Sequence, residues 1–199
     1  RKAEMKGHLS PLFTGVLKTV NQYGIVDKAI RESKSNWLIQ NQPDIWEKTH
    51  KFLFLSGFWI HRLTGEYRDS VGSQVGYIPF DYKRHCWAGP RDLKWKFFPM
   101  DPTLLPELVP PGGLLGHISR QASLETSIPE GLPVIAAATD KACEVIGAGC
   151  VAPSIGCLSY GTTATINTTH HRYVESIPLL PPWPAAFCKD FEGLRNGRS

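Results

Sequence analysis

One short stretch constrains this chain more than any other part of it: "PVIAAATDKACEVI", residues 133–146. An uninterrupted apolar run, typical of a strand in a parallel sheet, ends at a single acid, Asp140, and a helical pattern follows at once. A strand that leads directly into a helix is the repeating unit of α/β proteins, so we predict that class. In open sheets of this class, ligands collect at the carboxyl ends of the strands, which is where Asp140 is expected to lie.

The carboxylate of Asp140 has two interpretations. In the first, it caps the exposed backbone N–H groups at the start of the helix, where the helix dipole favours a negative charge, and it has no further role. In the second, it accepts the proton of a substrate hydroxyl while that oxygen attacks a phosphoryl group. Both interpretations need the same position, so this stretch alone leaves them open.

A second motif lies further along the chain, in "GCLSYGTTATINTT" from residue 156. The pattern predicts two strands around a tight turn at Gly161 and Thr162. Glycine lets the backbone approach a phosphate closely, and Thr162 and Thr163 add hydroxyl and N–H donors. Many hairpins use such residues only structurally, and for this hairpin taken alone that alternative stays open.

Helical patterns come before both motifs. Apolar spacing predicts a first helix over about residues 12–33, interrupted at Gly24, and a second helix that begins near Ser35. A third is predicted from Pro43 to just before Gly65. Because its apolar positions are nearly continuous, we expect this third helix to be buried on more than one side.

Charge, apolar run length and cysteine content bound the function. The net charge of +4 is spread along the chain, which argues against a nucleic-acid partner. No apolar run in the sequence reaches the roughly 18 residues that a membrane span needs, and we expect a cytoplasmic protein without a membrane partner. Five cysteines without a CxxC pair argue against a disulfide framework. We expect Cys143, Cys150 and Cys157 to be small buried residues rather than metal ligands.

Five segments lie in order between about Ser35 and Pro184 and read "SNWLIQNQPDIWEK", "LTGEYRDSVGSQ", "LPELVPPGGLLGHIS", "GLPVIAAATDKACEVIGAG" and "LSYGTTATIN". Taken together in this order, they resemble the FGGY family of carbohydrate kinases. The resemblance implies an incomplete α/β fold of the actin-like ATPase (ribonuclease H-like) type. Residues 1–149 then correspond to the later part of the family's first domain, and residues 150–199 to the beginning of its second.

The resemblance also implies roles for five residues. Asp140 matches the family's catalytic base, which deprotonates a hydroxyl of a sugar or polyol. Lys141 lies where the family has a residue that touches the substrate, although Asn or Gln is more usual there. Gly161, Thr162 and Thr163 match the hairpin that approaches the phosphates of ATP. ATP and Mg²⁺ are the implied cofactors, and the resemblance assigns no metal ligand within this sequence.

Members of the family are much longer than 199 residues. The Asp-x-Gly-Thr type of hairpin that opens their first domain is not in this sequence, and the family pattern fades after "PPWPAA". We therefore expect an internal fragment that is inactive by itself, because phosphoryl transfer needs positioning from both sides. Exposed sheet edges leave open a homo-oligomer. The alternative to a kinase segment is a truncated remnant with no phosphotransfer of its own.

Overall fold

A computed structural model of the chain describes residues 11–19, 21, 23–76, 78–161, 164–175 and 181–186. In these ranges the helices are α1 (Pro11–Thr19), α2 (Tyr23–Glu32), α3 (Lys34–Asn41), α4 (Pro43–Glu47), α5 (Leu55–Thr64), α6 (Lys94–Phe97), α7 (Arg120–Thr126) and α8 (Asp140–Gly147), with a 3-10 helix at Pro102–Leu104. The strands are β1 (Arg68–Ser70), β2 (Phe80–Asp81), β3 (Cys86–Trp87), β4 (Glu107–Val109), β5 (Leu114–His117), β6 (Pro133–Ile135), β7 (Gly156–Ser159) and β8 (Thr165–Thr168). Helices and strands alternate along much of the chain, which confirms the predicted α/β class.

The strands pair two by two into small sheets. β1 and β4 are parallel, whereas β2–β3, β5–β6 and β7–β8 are antiparallel. An isolated parallel bridge between Gly72 and Ala138 joins the segment after β1 to the segment after β6. This bridge brings the middle of the chain against the residues that precede Asp140.

The buried apolar residues that the structure describes form separate clusters. The cluster that backs the approach to Asp140 joins α5, β4, β5 and the residue after β6 through Ile60, Val109, Leu115 and Ala136. A second cluster surrounds Phe80, whose ring centroid lies 4.9 Å from that of Tyr82. The first cluster holds α5 and β6 against each other, and it therefore sets the position of the segment that leads to α8.

The structure corrects the helix predicted between residues 43 and 65. α4 ends at Glu47 and α5 begins only at Leu55. Between them, Phe52 N donates to Leu104 O at 2.8 Å, and this long-range hydrogen bond takes the place of a helical one. The predicted burial on more than one side is also wrong, because Leu55 is 73% exposed and Trp59 is 57% exposed. The predicted stop is confirmed: Gly65 ends α5 with a left-handed φ of 82°.

Two further predictions need correction. The first predicted helix is two helices: α1 ends at Thr19, α2 begins at Tyr23, and Gly24 lies inside α2 rather than at an interruption. The strand before Asp140 is short and antiparallel to β5, and its parallel character is confined to the bridge at Ala138. Its Ile135 is half exposed, so the apolar run is not buried throughout.

Candidate functional site

The candidate site is built at the start of α8, where Asp140 is the first helical residue. Thr139 is the N-cap, and its Oγ1 accepts a hydrogen bond from Ala142 N at 3.4 Å. Asp140 Oδ1 accepts from the adjacent Lys141 N at 2.7 Å, and the Asp140 side chain is exposed. The interpretation of Asp140 as the N-cap is therefore wrong by one residue. Because Thr139 supplies the cap, the carboxylate of Asp140 is presented to solvent at the start of the helix.

Lys141 connects α8 to β7. Its Nζ donates to Glu144 Oε2 at 2.5 Å and to Ser159 Oγ at 2.8 Å. The hydrogen bond from Lys141, followed by that from Ser159, lowers the pKa of the Glu144 carboxyl. Two of the three donors of the ammonium group are thus used inside the protein, and they hold Lys141 between the helix and the hairpin.

The hairpin predicted after α8 is confirmed by the pairing of β7 with β8, which runs from Gly156 opposite Thr168 to Ser159 opposite Thr165. Gly161 lies in the connection between the two strands and is exposed. A Cβ atom built on Gly161 would meet nothing within 4 Å, so there is open space beside its backbone. Thr162 and Thr163, which the sequence analysis grouped with Gly161, lie outside the described residues.

A buried polar cluster lies at the end of β1. Asp69 is 0% exposed and Ser70 is 2% exposed. Asp69 Oδ2 accepts from Ser56 Oγ at 2.9 Å, and Oδ1 accepts from Ser70 N at 2.7 Å. Burial raises the pKa of the Asp69 carboxyl, and hydrogen bonds from Gln74, Ser56 and the backbone oppose part of that rise.

This cluster contacts the segment that leads to Asp140. Ser70 Oγ donates to Ala137 O and accepts from Gly72 N at 3.1 Å. Gly72 O in turn accepts from Thr139 N at 3.1 Å. Neither Ser70 nor Gly72 is among the site residues predicted from the sequence. The sequence does show an acid and a serine, Asp69 and Ser70, shortly after the helix stop at Gly65. This pattern does not indicate which distant segment the two residues contact.

The structure brings part of the predicted site together. Asp140 and Lys141 are neighbours in α8, and the bond from Lys141 to Ser159 brings them to the hairpin that contains Gly161.

Cys150 and Cys157 are buried as predicted, whereas Cys143 is exposed, so the prediction of burial is wrong for one of the three cysteines. Over the described ranges, no group of three or more His, Cys, Asp or Glu side chains could hold a metal ion. In the same ranges, no helix combines the length and the apolar character that crossing a membrane requires.

Comparison with known proteins identifies the family. The model of the N-terminal domain of the FGGY family of carbohydrate kinases matches residues 20–147, which include β1, β6 and α8. The chain belongs to the FGGY carbohydrate kinases. This confirms the family that the five sequence segments predicted.

Two curated relatives show how much of an FGGY kinase the chain represents. The sugar kinase YgcE of Escherichia coli strain K12 is 39% identical over 146 residues, which are 71% of this chain and 30% of YgcE. L-fuculokinase of the same strain is 32% identical over 113 residues, which are 57% of this chain and 23% of that enzyme. The chain therefore spans less than a third of the length of these relatives.

Solved structures of sugar and polyol kinases share the fold of this chain. A ligand-bound xylulose kinase from Lactobacillus acidophilus aligns with a TM-score of 0.60 at 17% identity, over 78% of this chain and 33% of that chain. Plasmodium falciparum glycerol kinase with ADP aligns with a TM-score of 0.59 at 18% identity, over the same shares of the two chains. At such identities the likeness shows the fold alone. It confirms the actin-like ATPase fold, here in partial form.

Proposed function

We propose that this FGGY segment carries the catalytic base of an ATP-dependent sugar or polyol kinase, and that the base is Asp140. One observation carries the proposal: an exposed carboxylate stands at the start of a helix that Thr139 already caps. Lys141, the next residue, is hydrogen-bonded to the strand that leads to Gly161. Lys141 therefore contacts the Asp140 carboxylate through its backbone N and the strand that leads to the candidate phosphate-binding turn through its side chain.

The proposed chemistry needs little more from this chain than a correctly placed proton acceptor. ATP, when bound, supplies the phosphoryl group, and the carboxylate of Asp140 takes the proton from the sugar or polyol hydroxyl that attacks it. Lys141 borders the same site and contacts the substrate. Gly161, together with Thr162 and Thr163, approaches the ATP phosphates, and the open space beside Gly161 is compatible with a ligand there. Mg²⁺ is the metal ion that the family implies, and among the described residues no group of three or more His, Cys, Asp or Glu side chains could hold it.

The family to which the chain belongs also underlies our division of the chain into domains. We infer that residues 1–149 are the later part of the first FGGY domain and that residues 150–199 begin the second, in a cytoplasmic enzyme. The family match, which ends at residue 147, supports a boundary just after α8. The small share of each relative that the chain spans favours a second possibility, that these 199 residues alone transfer no phosphoryl group.

The test uses the longest natural reading frame that contains these residues. We expect sugar-dependent or polyol-dependent ATP consumption, measured over a substrate panel, and a loss of roughly 10²–10⁴-fold in kcat for Asp140→Asn with ATP affinity retained. Asp44→Asn is the matched control, because Asp44 is also an exposed acid in the first turn of a helix. Undiminished turnover in Asp140→Asn would refute the assignment of the base. An inactive wild-type protein would favour the truncated remnant.

A further inference from the structure

We propose that Ser70 is a positioning residue for Asp140: Asp69 holds the backbone of Ser70, and the Ser70 hydroxyl fixes the segment 137–139 from which α8 starts. The inference rests on the proposed function, because the position of Asp140 matters to turnover only if Asp140 is the base. It concerns residues that touch neither substrate nor ATP, and it extends the candidate site into the buried polar cluster behind it.

The Ser70 hydroxyl makes two hydrogen bonds in opposite senses. It donates to Ala137 O and accepts from Gly72 N. A hydroxyl carries one donor and two acceptor sites, so a serine at this position satisfies both partners at once. Alanine would leave a carbonyl oxygen and an N–H group without these bonds in a region where Ser70 itself is 2% exposed. Such losses are costly in a buried site and release the two segments from each other.

The contact extends from Ala137 almost to Asp140. Gly72 forms the parallel bridge with Ala138, and its carbonyl oxygen accepts from Thr139 N at 3.1 Å. Thr139 is the N-cap of α8, and Asp140 is the next residue. Three successive residues of the approach are therefore bound by the backbone or side chains of residues 70–72. The helix that bears the candidate base starts directly from this held segment.

Asp69 holds the backbone of Ser70 in place. One oxygen of its carboxylate binds Ser70 N and the other binds Ser56 Oγ near the start of α5. Among the ion pairs of the described residues, none includes Asp69. A buried carboxylate held by hydroxyl and amide donors rather than by a cation opposes folding. What this arrangement provides is one directional bond to Ser70 N and one to Ser56 Oγ, which together hold the end of β1 against the start of α5.

A small shift at this position matters for proton transfer. A general base must lie within hydrogen-bond reach of the proton that it takes. A misplacement of about 1 Å can lower the rate by roughly a hundredfold. Loss of the Ser70 hydroxyl should therefore reduce kcat, whereas the affinity for ATP should stay unchanged, because this hydroxyl contacts Ala137 and Gly72 and not the hairpin proposed to approach the phosphates.

The first experiment compares Ser70→Ala with Ser119→Ala in the longest natural reading frame. Ser119 Oγ accepts from Ala122 N at 3.2 Å and caps α7, so its loss also removes one hydroxyl contact at a helix start. We expect Ser70→Ala to lower kcat by roughly ten- to a hundredfold at constant KM for ATP. We expect Ser119→Ala to lower the melting temperature without a matching loss of kcat. Equal kcat in the two variants overturns the inference.

A second pair of variants separates the hydroxyl from packing. Ser70→Thr and Ser70→Val add nearly the same volume to the buried position, but only threonine keeps the hydroxyl. A kcat at least tenfold higher for Ser70→Thr supports the inference, and a ratio near one overturns it even if both variants are less stable than wild type.

Asp140→Asn, measured in parallel, keeps the two proposals distinguishable. If Asp140→Asn loses turnover while Ser70→Ala retains it, the base assignment stands and the positioning role is wrong. If Asp140→Asn retains turnover, the base assignment is wrong, and the role of Ser70 falls with it.

Discussion

Replacement of Gly72 by alanine should separate the two segments that meet in front of α8. An added Cβ would lie 2.6 Å from Ala138 Cβ, 2.9 Å from Ala137 O and 3.0 Å from Ala138 Cα. Carbon atoms pack at about 3.5–4.0 Å, so the segment from Ala137 to Thr139 would have to move by about 1 Å. None of these neighbours is the end of a flexible side chain that could turn away, and the backbone itself must therefore give.

The size of the effect follows from this geometry. Overpacking of a buried contact typically costs about 1–3 kcal/mol. The hydrogen bond from Thr139 N to Gly72 O would be lengthened or lost, which adds about 1 kcal/mol. We therefore expect Gly72→Ala to lower the free energy of unfolding by about 2–4 kcal/mol. In the longest natural reading frame, the same shift should lower kcat by roughly a hundredfold.

Urea unfolding of the 199-residue chain, followed by the fluorescence of its six tryptophans, measures the first effect. Gly24→Ala is the matched control, because Gly24 lies in α2 and its added Cβ would meet nothing within 4 Å. Alanine is the better helix former, so this control should be neutral or more stable than wild type by up to about 1 kcal/mol. A Gly72→Ala variant within about 0.5 kcal/mol of wild type would mean that residues 72 and 138 are not in the close contact described above.

Two further predictions concern Asp69 and Lys141. Burial raises the pKa of Asp69 above its ordinary value of 3.8, so the folded state binds this proton more tightly than the unfolded state does. The contribution of Asp69 to stability should therefore fall as the pH rises from the unfolded value through the folded pKa, and Asp69→Asn should remove that slope from urea midpoints measured across this range. An identical pH dependence in the two proteins would contradict the prediction. For Lys141→Met, which removes the Nζ bonds to Glu144 and Ser159, we expect faster amide hydrogen exchange in β7 with exchange in α7 unchanged. Unchanged exchange in β7 would show that Lys141 does not hold the hairpin to α8.

Features that depend on neighbouring residues could be predicted from the sequence. The helix that begins at Asp140 follows an apolar run that ends in an acid, and the end of α5 follows from the left-handed conformation that glycine adopts at Gly65. The β7–β8 hairpin follows from two runs of mixed polar and apolar residues, one on each side of Gly161. In each case a local pattern selects the local structure.

The remaining features depend on contacts between residues far apart in the chain. Ser70 and Ala137 are separated by 67 positions, and no local pattern indicates that their segments meet. The same holds for the break after α4, which follows from the bond between Phe52 and Leu104. The N-cap of α8 was predicted at Asp140 and lies at Thr139, and this error has a different cause. Both residue types are good N-caps, and the sequence does not choose between adjacent candidates.

The buried cluster also supplies a property that apolar packing cannot. Two-stranded pairs such as β1–β4 and β5–β6 are marginal by themselves, so they depend on the cluster formed by Ile60, Val109, Leu115 and Ala136. Apolar contact is not directional, and it resists separation of two segments more than it resists sliding of one along the other. The Ser70 hydroxyl, bound on two sides, opposes such sliding because each bond weakens steeply away from its preferred angle. The same hydrogen-bonded arrangement therefore has two consequences. The buried carboxylate of Asp69 opposes folding, and the start of α8 is held in register.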